Sequence, residues 1–153
     1  MYKFKKIDGD QFSLIYEKNK EKKQIEFKRT VKNVSRLQSI DSEARFRVLK
    51  ELTEKGYTID NNPFIVEKQE GNKTVRDESN FNYLITQEKE TTTVLILGEI
   101  IKDIFGMDFD KLIEEIGENP QDEKAIIDFI QEFGYILKNG ETSDTDKTPS
   151  TNN

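Results

Sequence analysis

The chain contains no cysteine and no histidine. The first absence excludes a disulfide framework, a thiolate metal site and a cysteine nucleophile. The second removes the side chain that titrates near neutrality unperturbed, the usual nitrogen ligand of zinc, and the base of a Ser-His or Cys-His pair. Tryptophan is missing too. Neither a Walker pattern nor G-x-G-x-x-G occurs, so phosphoryl transfer lacks its usual anchor, and no Ser-x-x-Lys supplies a histidine-free serine nucleophile. Carboxylate, lysine and tyrosine chemistry is all that is left. The chain therefore reads as a binding protein and not an enzyme, with no catalytic residue, cofactor or metal to assign.

Long apolar runs are also lacking. Lys3, Lys5 and Lys6 are not followed by a stretch of signal-peptide length, and the strongest run, residues 94–97, stops at Gly98-Glu99, far short of a bilayer span. The expectation is a soluble intracellular protein that makes no use of a membrane. Asn33 and Asn72 open Asn-X-Ser/Thr matches that such a protein leaves unglycosylated.

What is present is charge. Of the 153 residues, 35% are charged and 33% hydrophobic, which fits one domain with an economical core and a heavily solvated surface. Residues 1–55 carry +6 and residues 56–153 carry −12, recovering the total of −6. Such polarity can steer a partner, or let identical subunits meet head to tail; equally, it can be an uneven solvated surface.

Hydrophobic periodicity predicts an α+β chain: a small N-terminal antiparallel β-meander followed by a predominantly α-helical bundle. Tyr2 and Phe4, then Phe12, Leu14 and Tyr16, then Ile25, Phe27 and Val31 alternate with polar residues. Asp8-Gly9-Asp10 suits the first turn, and the lysine-rich stretch 18–23 an exposed loop. From residue 31 the period turns helical, with Val34, Leu37, Phe46, Leu49 and Leu52 in steps of three and Val48 beside them, capped at Asp41 or Ser42 and closed at Gly56. Asn61-Asn62-Pro63 and Gly71-Asn72 are turn signals around a possible hairpin of residues 64–68 with 73–76. A long helix from Ser79 to Gly106 has its apolar side at Phe81, Leu84, Ile85, Leu95, Ile96, Ile100, Ile104 and Phe105. The β-branched run of residues 91–94 is its weak point. Asp108 caps a short helix ending at Gly117, and Asn119-Pro120 opens the last one, with its stripe at Ile126, Ile127, Ile130, Phe133 and Leu137. Residues 1–138 thus form a single domain, strand-rich over 1–31 and mainly helical over 32–138. Residues 139–153 lack large apolar side chains and read as a disordered polar tail.

Three constellations bear on function. Asp108, Asp110, Glu114, Glu115 and Glu118 are the densest acids, but Leu112 and Ile113 interrupt them and no EF-hand spacing results; helix capping accounts for them. Arg36, Arg45, Arg47 and Lys50 form a basic patch. Interspersed acids at Asp41, Glu43, Glu51 and Glu54 make it a solvated face, or a site for an acidic protein, sooner than a nucleic-acid surface. Phe105, Met107 and Phe109, with Ile126, Ile130 and Phe133, are either core or a groove left for a partner helix, for which aromatic and methionine anchors are suited.

The layout resembles the tail assembly chaperones of long-tailed phages and prophages of Gram-positive bacteria. The resemblance rests on a strand meander ending in Ile25-Glu26-Phe27-Lys28-Arg29-Thr30-Val31 and on the segment from Ile100-Ile101-Lys102-Asp103-Ile104-Phe105-Gly106 through Met107-Asp108-Phe109-Asp110-Lys111-Leu112-Ile113. It implies a non-enzymatic protein of the host cytoplasm, absent from the mature virion, that binds the tape measure protein and recruits tail tube subunits. It also implies a short form ending in the polar tail beside a longer, frameshifted one. On that footing residues near 105–137 touch the partner, and the basic sheet end serves self-association or tube recruitment. A different class, suggested by the acid-rich residues 108–123, is a phage-encoded inhibitor that mimics nucleic acid toward a host enzyme.

Overall fold

The computed structural model describes residues 1–58 and 60–143, so most of the polar segment 139–153 lies outside the described residues. By internal contacts, the stretch read as one domain holds two compact units: unit 1, Met1–Gln38 with Gly98–Asn153, and unit 2, Ser39–Leu97. The architecture is α+β, a three-stranded antiparallel meander followed by helices.

In unit 1 the meander comprises β1 (Tyr2–Asp8), β2 (Gln11–Lys18) and β3 (Glu21–Lys28) in that spatial order. Phe4 faces Leu14, which faces Ile25, and Phe12 faces Phe27. With a side-chain period of two, this register puts Phe4, Phe12, Leu14, Tyr16 and Phe27 on one buried face. The lysine-rich stretch is not the loop expected of it. Asn19 and Lys20 both take positive φ (54° and 65°), the pairing that lets a two-residue turn follow strand twist, so Lys22 and Lys23 continue the ladder opposite Glu17 and Tyr16. Val31 leaves the sheet altogether: it opens a helix and is 84% exposed.

Helix α1 (Val31–Gln38) starts where Thr30 Oγ1 accepts the Asn33 amide at 3.2 Å. It is followed in unit 1 by the last turns of α3 (Ser79–Phe105), then α4 (Phe109–Glu115) and α5 (Glu123–Asn139). Asn119-Pro120 does not begin α5. Asn119 Oδ1 accepts the Gln121 amide in a turn, and Asp122 is the cap, its carboxylate accepting from the amides of Lys124 and Ala125. The α5 stripe is correspondingly displaced. Phe129, Phe133, Ile136 and Leu137 are buried, whereas Ile126 and Ile130 are half-buried and Ile127 is exposed.

The core of unit 1 is aromatic at its centre. Phe27 lies 4.8 Å from Phe105 and 6.0 Å from Phe133 between ring centroids, and Phe4 lies 5.5 Å from Phe129. Ile100, Ile101, Leu112, Ile113 and Ile116 complete it. The end of α5 is held by the sheet: Arg29 Nε donates to the Leu137 carbonyl at 2.7 Å, and Lys6 Nζ to that of Gly140 at 2.9 Å. Gly140, at φ +69°, supplies the left-handed cap.

Unit 2 contains α2 (Ile40–Glu54), the hairpin β4 (Val66–Glu70) and β5 (Lys73–Asp77), and the N-terminal part of α3. Ser39, and neither Asp41 nor Ser42, precedes the first turn of α2. The hairpin forms two residues later than expected in its first strand, because Phe64 and Ile65 stay in the turn region opened by Asn62, whose Oδ1 accepts the Phe64 amide. The β-branched run does not break α3. Thr93 Oγ1 donates to the Lys89 carbonyl at 2.8 Å, and the run leads directly into the buried Ile96 and Leu97.

Candidate partner-binding surface

Helix α2 buries Ala44, Val48 and Leu52, a ladder in steps of four. That choice turns Phe46 outward at 67% exposure, although its three-residue spacing to Leu49 and Leu52 places it on the core stripe in sequence. The small core of unit 2 joins Val48, Leu52 and Ile85, with Leu49, Tyr57, Phe81 and Leu84 packed against it. Beside it a cavity of about 190 Å³ is lined by Val48, Leu52, Tyr57, Phe64 and Leu84, with Glu51, Lys55 and Glu88 at its polar margin. Tyr57 and Phe64 meet edge to face at 5.6 Å and form one wall. On α3 Tyr83, Val94 and Leu95 are exposed at 65%, 61% and 60%. Leu95, expected on the apolar side, is thus on the surface; Leu97 is buried in its stead.

The residues expected to form a partner groove are placed differently. Phe105 and Phe133 are interior, in van der Waals range of each other with ring centroids 5.4 Å apart, so neither offers surface to a partner. Met107, Phe109, Ile126 and Ile130 are half-buried, and Phe109 leans on Phe129 at 5.8 Å. The periodicity that nominated these residues is the periodicity of a core face, and the core has taken the largest of them.

The basic patch is not brought together as one site within either unit: Arg36 belongs to unit 1, and Arg45, Arg47 and Lys50 to unit 2. Arg36 pairs with Glu99, and Arg47 with Glu43 at 2.7 Å. Arg45 and Lys50 are exposed.

Two members of the acidic cluster, Glu115 and Asp108, are engaged. Glu115 accepts from Tyr16 Oη and from Lys18 Nζ, both at 2.6 Å, and these donors, Lys18 foremost, hold its carboxyl below the usual range. Burial and the bond to Glu115 push the Tyr16 phenol up to about 12. Asp108 pairs with Lys102 at 3.3 Å. A parallel contact ties α1 to α3: Asn33, 2% exposed, donates to Asp103 at 3.0 Å, which together with Lys32 lowers that carboxyl.

These bonds explain the charge polarity of the sequence. Residues 1–38 carry +6 and residues 98–153 carry −9, yet both belong to unit 1, which therefore carries −3, the same as residues 39–97 in unit 2. Lys18–Glu115, Lys32–Asp103 and Arg36–Glu99 each join the basic start to the acidic finish. The two halves do not present opposite ends to a partner.

No group of three or more acidic side chains suited to a metal ion occurs among the described residues, and no helix among them is long and apolar enough to cross a membrane. Comparison with protein-family models, curated proteins and solved structures finds no match to this chain.

Proposed function

We propose that the chain is a non-enzymatic binding protein of the tail assembly chaperone kind, working in the host cytoplasm on the tape measure protein and the tail tube subunit. One observation carries the binding role: unit 2 leaves Phe46, Tyr83, Val94 and Leu95 at 60% exposure or more, and separately holds an apolar cavity walled by Tyr57 and Phe64. Large apolar side chains exposed in this number within a unit of 59 residues are the composition of an interaction face. The partner-binding residues are accordingly reassigned from the segment 105–137 to unit 2. A tape measure protein is long, helical and apolar before assembly. A charged chain coating it through repeated weak contacts would keep it soluble and would gain from multivalency.

The test is co-expression of the full chain with the tape measure protein and affinity capture of the pair. Retention that falls in Phe46→Ser and Tyr83→Ser variants while a surface substitution in unit 1, Tyr135→Ser, leaves it intact supports the reading. No retention by the parent chain overturns the chaperone assignment. Retention unaffected by the unit 2 variants overturns the placement of the surface.

A further inference from the structure

Helix α2 carries a projecting ring on one side and a wall of the unit 2 cavity on the other. Phe46 stands out at 67% exposure, and Arg45 and Lys50 are exposed with it. Lys50 follows the ring by one turn on the same face, and Arg45 adjoins it in sequence. Neither cation has a partner among the described residues, whereas Arg47 is held by Glu43. Of the acids on this helix, Asp41, Glu43 and Glu51 are each paired with a cation, and Glu54 lies two turns beyond the ring. The immediate setting of Phe46 is therefore cationic.

The cavity is its complement in size and in charge. Its volume of about 190 Å³ exceeds the roughly 150 Å³ at which an aliphatic and aromatic cavity takes up a benzene molecule. It opens at the surface, since Glu51, Lys55 and Glu88 at its margin are all exposed. Glu51 is matched by Lys55 at 3.1 Å, but Glu88 has no partner among the described residues, so the unmatched charge at the opening is negative. The ring cannot fill the cavity of its own chain. At 3.6 residues per turn, the α2 positions that line it (48, 51, 52 and 55) lie on the side of the helix opposite Phe46. A ring from a second copy meets no such obstacle, and every copy brings one ring and one cavity.

We propose that unit 2 associates with itself head to tail: Phe46 of one copy enters the cavity walled by Tyr57 and Phe64 of the next, with Arg45 and Lys50 set against Glu88. The contact joins two different patches, so each added copy leaves one ring and one cavity unfilled and growth does not end at two. A single aromatic side chain buries about 150–250 Å², far less than a stable interface needs. The contact is accordingly weak and acts when copies are gathered along a common partner. This inference goes beyond the tape measure reading and is tested on the purified chain alone, so its failure leaves the capture experiment standing.

Sedimentation equilibrium of the full chain from about 10 µM to about 1 mM, the span in which weak interfaces associate, is expected to show a mass that rises from 17.9 kDa and passes twice that value. Phe46→Ser removes the ring and keeps the cavity, and Glu88→Lys keeps the ring and sets like charges at the opening; each alone should weaken association by about tenfold or more. An equal mixture of the two pairs an intact cavity with an intact ring, so it should associate as the parent does but stop at two copies. In the parent, methyl resonances of Val48 and Leu84 should shift with concentration under the incoming ring, and in Phe46→Ser they should not. A parent that stays monomeric overturns the proposal, as does a parent whose mass levels off at two copies, or a mixture that associates no better than its components. Should Glu88→Lys misfold by circular dichroism, the methyl resonances decide: shifts absent in the associating parent, or unchanged by Phe46→Ser, overturn it.

Discussion

Glu115 illustrates how much of this chain's chemistry is structural. Its carboxylate, on α4, takes one hydrogen bond from a tyrosine and one from a lysine of the central strand. Because its folded pKa is depressed, the stability it contributes is present above the ordinary value of 4.5 and is lost as pH falls through the folded value. Glu115→Gln should therefore show a shallower loss of stability below about pH 4.5 than the parent, measured by urea unfolding across the acid range. Tyr16 works in the opposite direction. Its raised pKa means that its contribution is complete below pH 10 and is lost as pH rises toward about 12. Tyr16→Phe should cost about 1 kcal/mol at neutrality. Phe46 and Phe133 make a second contrast at this scale. Phe133→Ala removes a fully buried ring and should destabilise by about 3–5 kcal/mol. Phe46→Ser should change stability by no more than about 0.5 kcal/mol, since its ring is already in solvent.

At the scale of elements, the C-terminus of α5 depends on side chains from the far end of the sequence. Arg29 stacks 3.4 Å from where a Cβ on Gly140 would sit, donates to the carbonyls of Leu137 and Lys138, and pairs with Asp10. Arg29→Met keeps the stem but not the donors and should cost about 1–3 kcal/mol in chemical denaturation, the range for losing bonds from a charged group. The two sheets should also separate in native-state hydrogen exchange. Amides of the β1-β2-β3 ladder over the buried aromatic face should be the slowest, and those of Lys68 and Glu70 in the uncovered hairpin at monomer concentrations among the fastest. The meander, the period change near residue 31, the limits of α3 and the hairpin near Gly71 were legible because each is a local pattern of alternation, helical spacing or turn residues. The faces were less so. In α2 the spacing 46, 49, 52 and the spacing 44, 48, 52 are both helical, and only the packing partner decides between them; alanine, with no apolar weight in the pattern, was the deciding residue. In α5 the same ambiguity concealed Phe129 and Ile136. The groove nominated in sequence lost Phe105 and Phe133 to the core for the related reason that a stripe facing the core and a stripe facing a partner are spelled alike.

For the molecule as a whole, the contrast between a basic beginning and an acidic end is consumed within unit 1, leaving both units at the same net charge. Long-range steering by opposite poles is not what this charge distribution supplies. The unit boundaries also show that unit 1 is discontinuous, with unit 2 lying between its two segments in sequence. A fragment of residues 1–97 should therefore keep helical signal from unit 2 yet leave the meander's amides unprotected and its aromatic face open to a hydrophobic dye. Protected β2 amides in that fragment would contradict the dependence of the sheet on α4 and α5.

That discontinuity sets an order of events during synthesis. The strands, carrying Phe4, Phe12 and Phe27 on one face, leave the ribosome before unit 2, whereas the rings that cover them, Phe129 and Phe133, follow only after it. Unit 2 is complete well before then and can fold while the chain is still tethered. Between the synthesis of β3 and that of α5 the aromatic face of the sheet is therefore uncovered, and the lysines beside those phenylalanines, Lys3, Lys5 and Lys28 among them, are the kind of charge that discourages pairing of exposed strands over that interval.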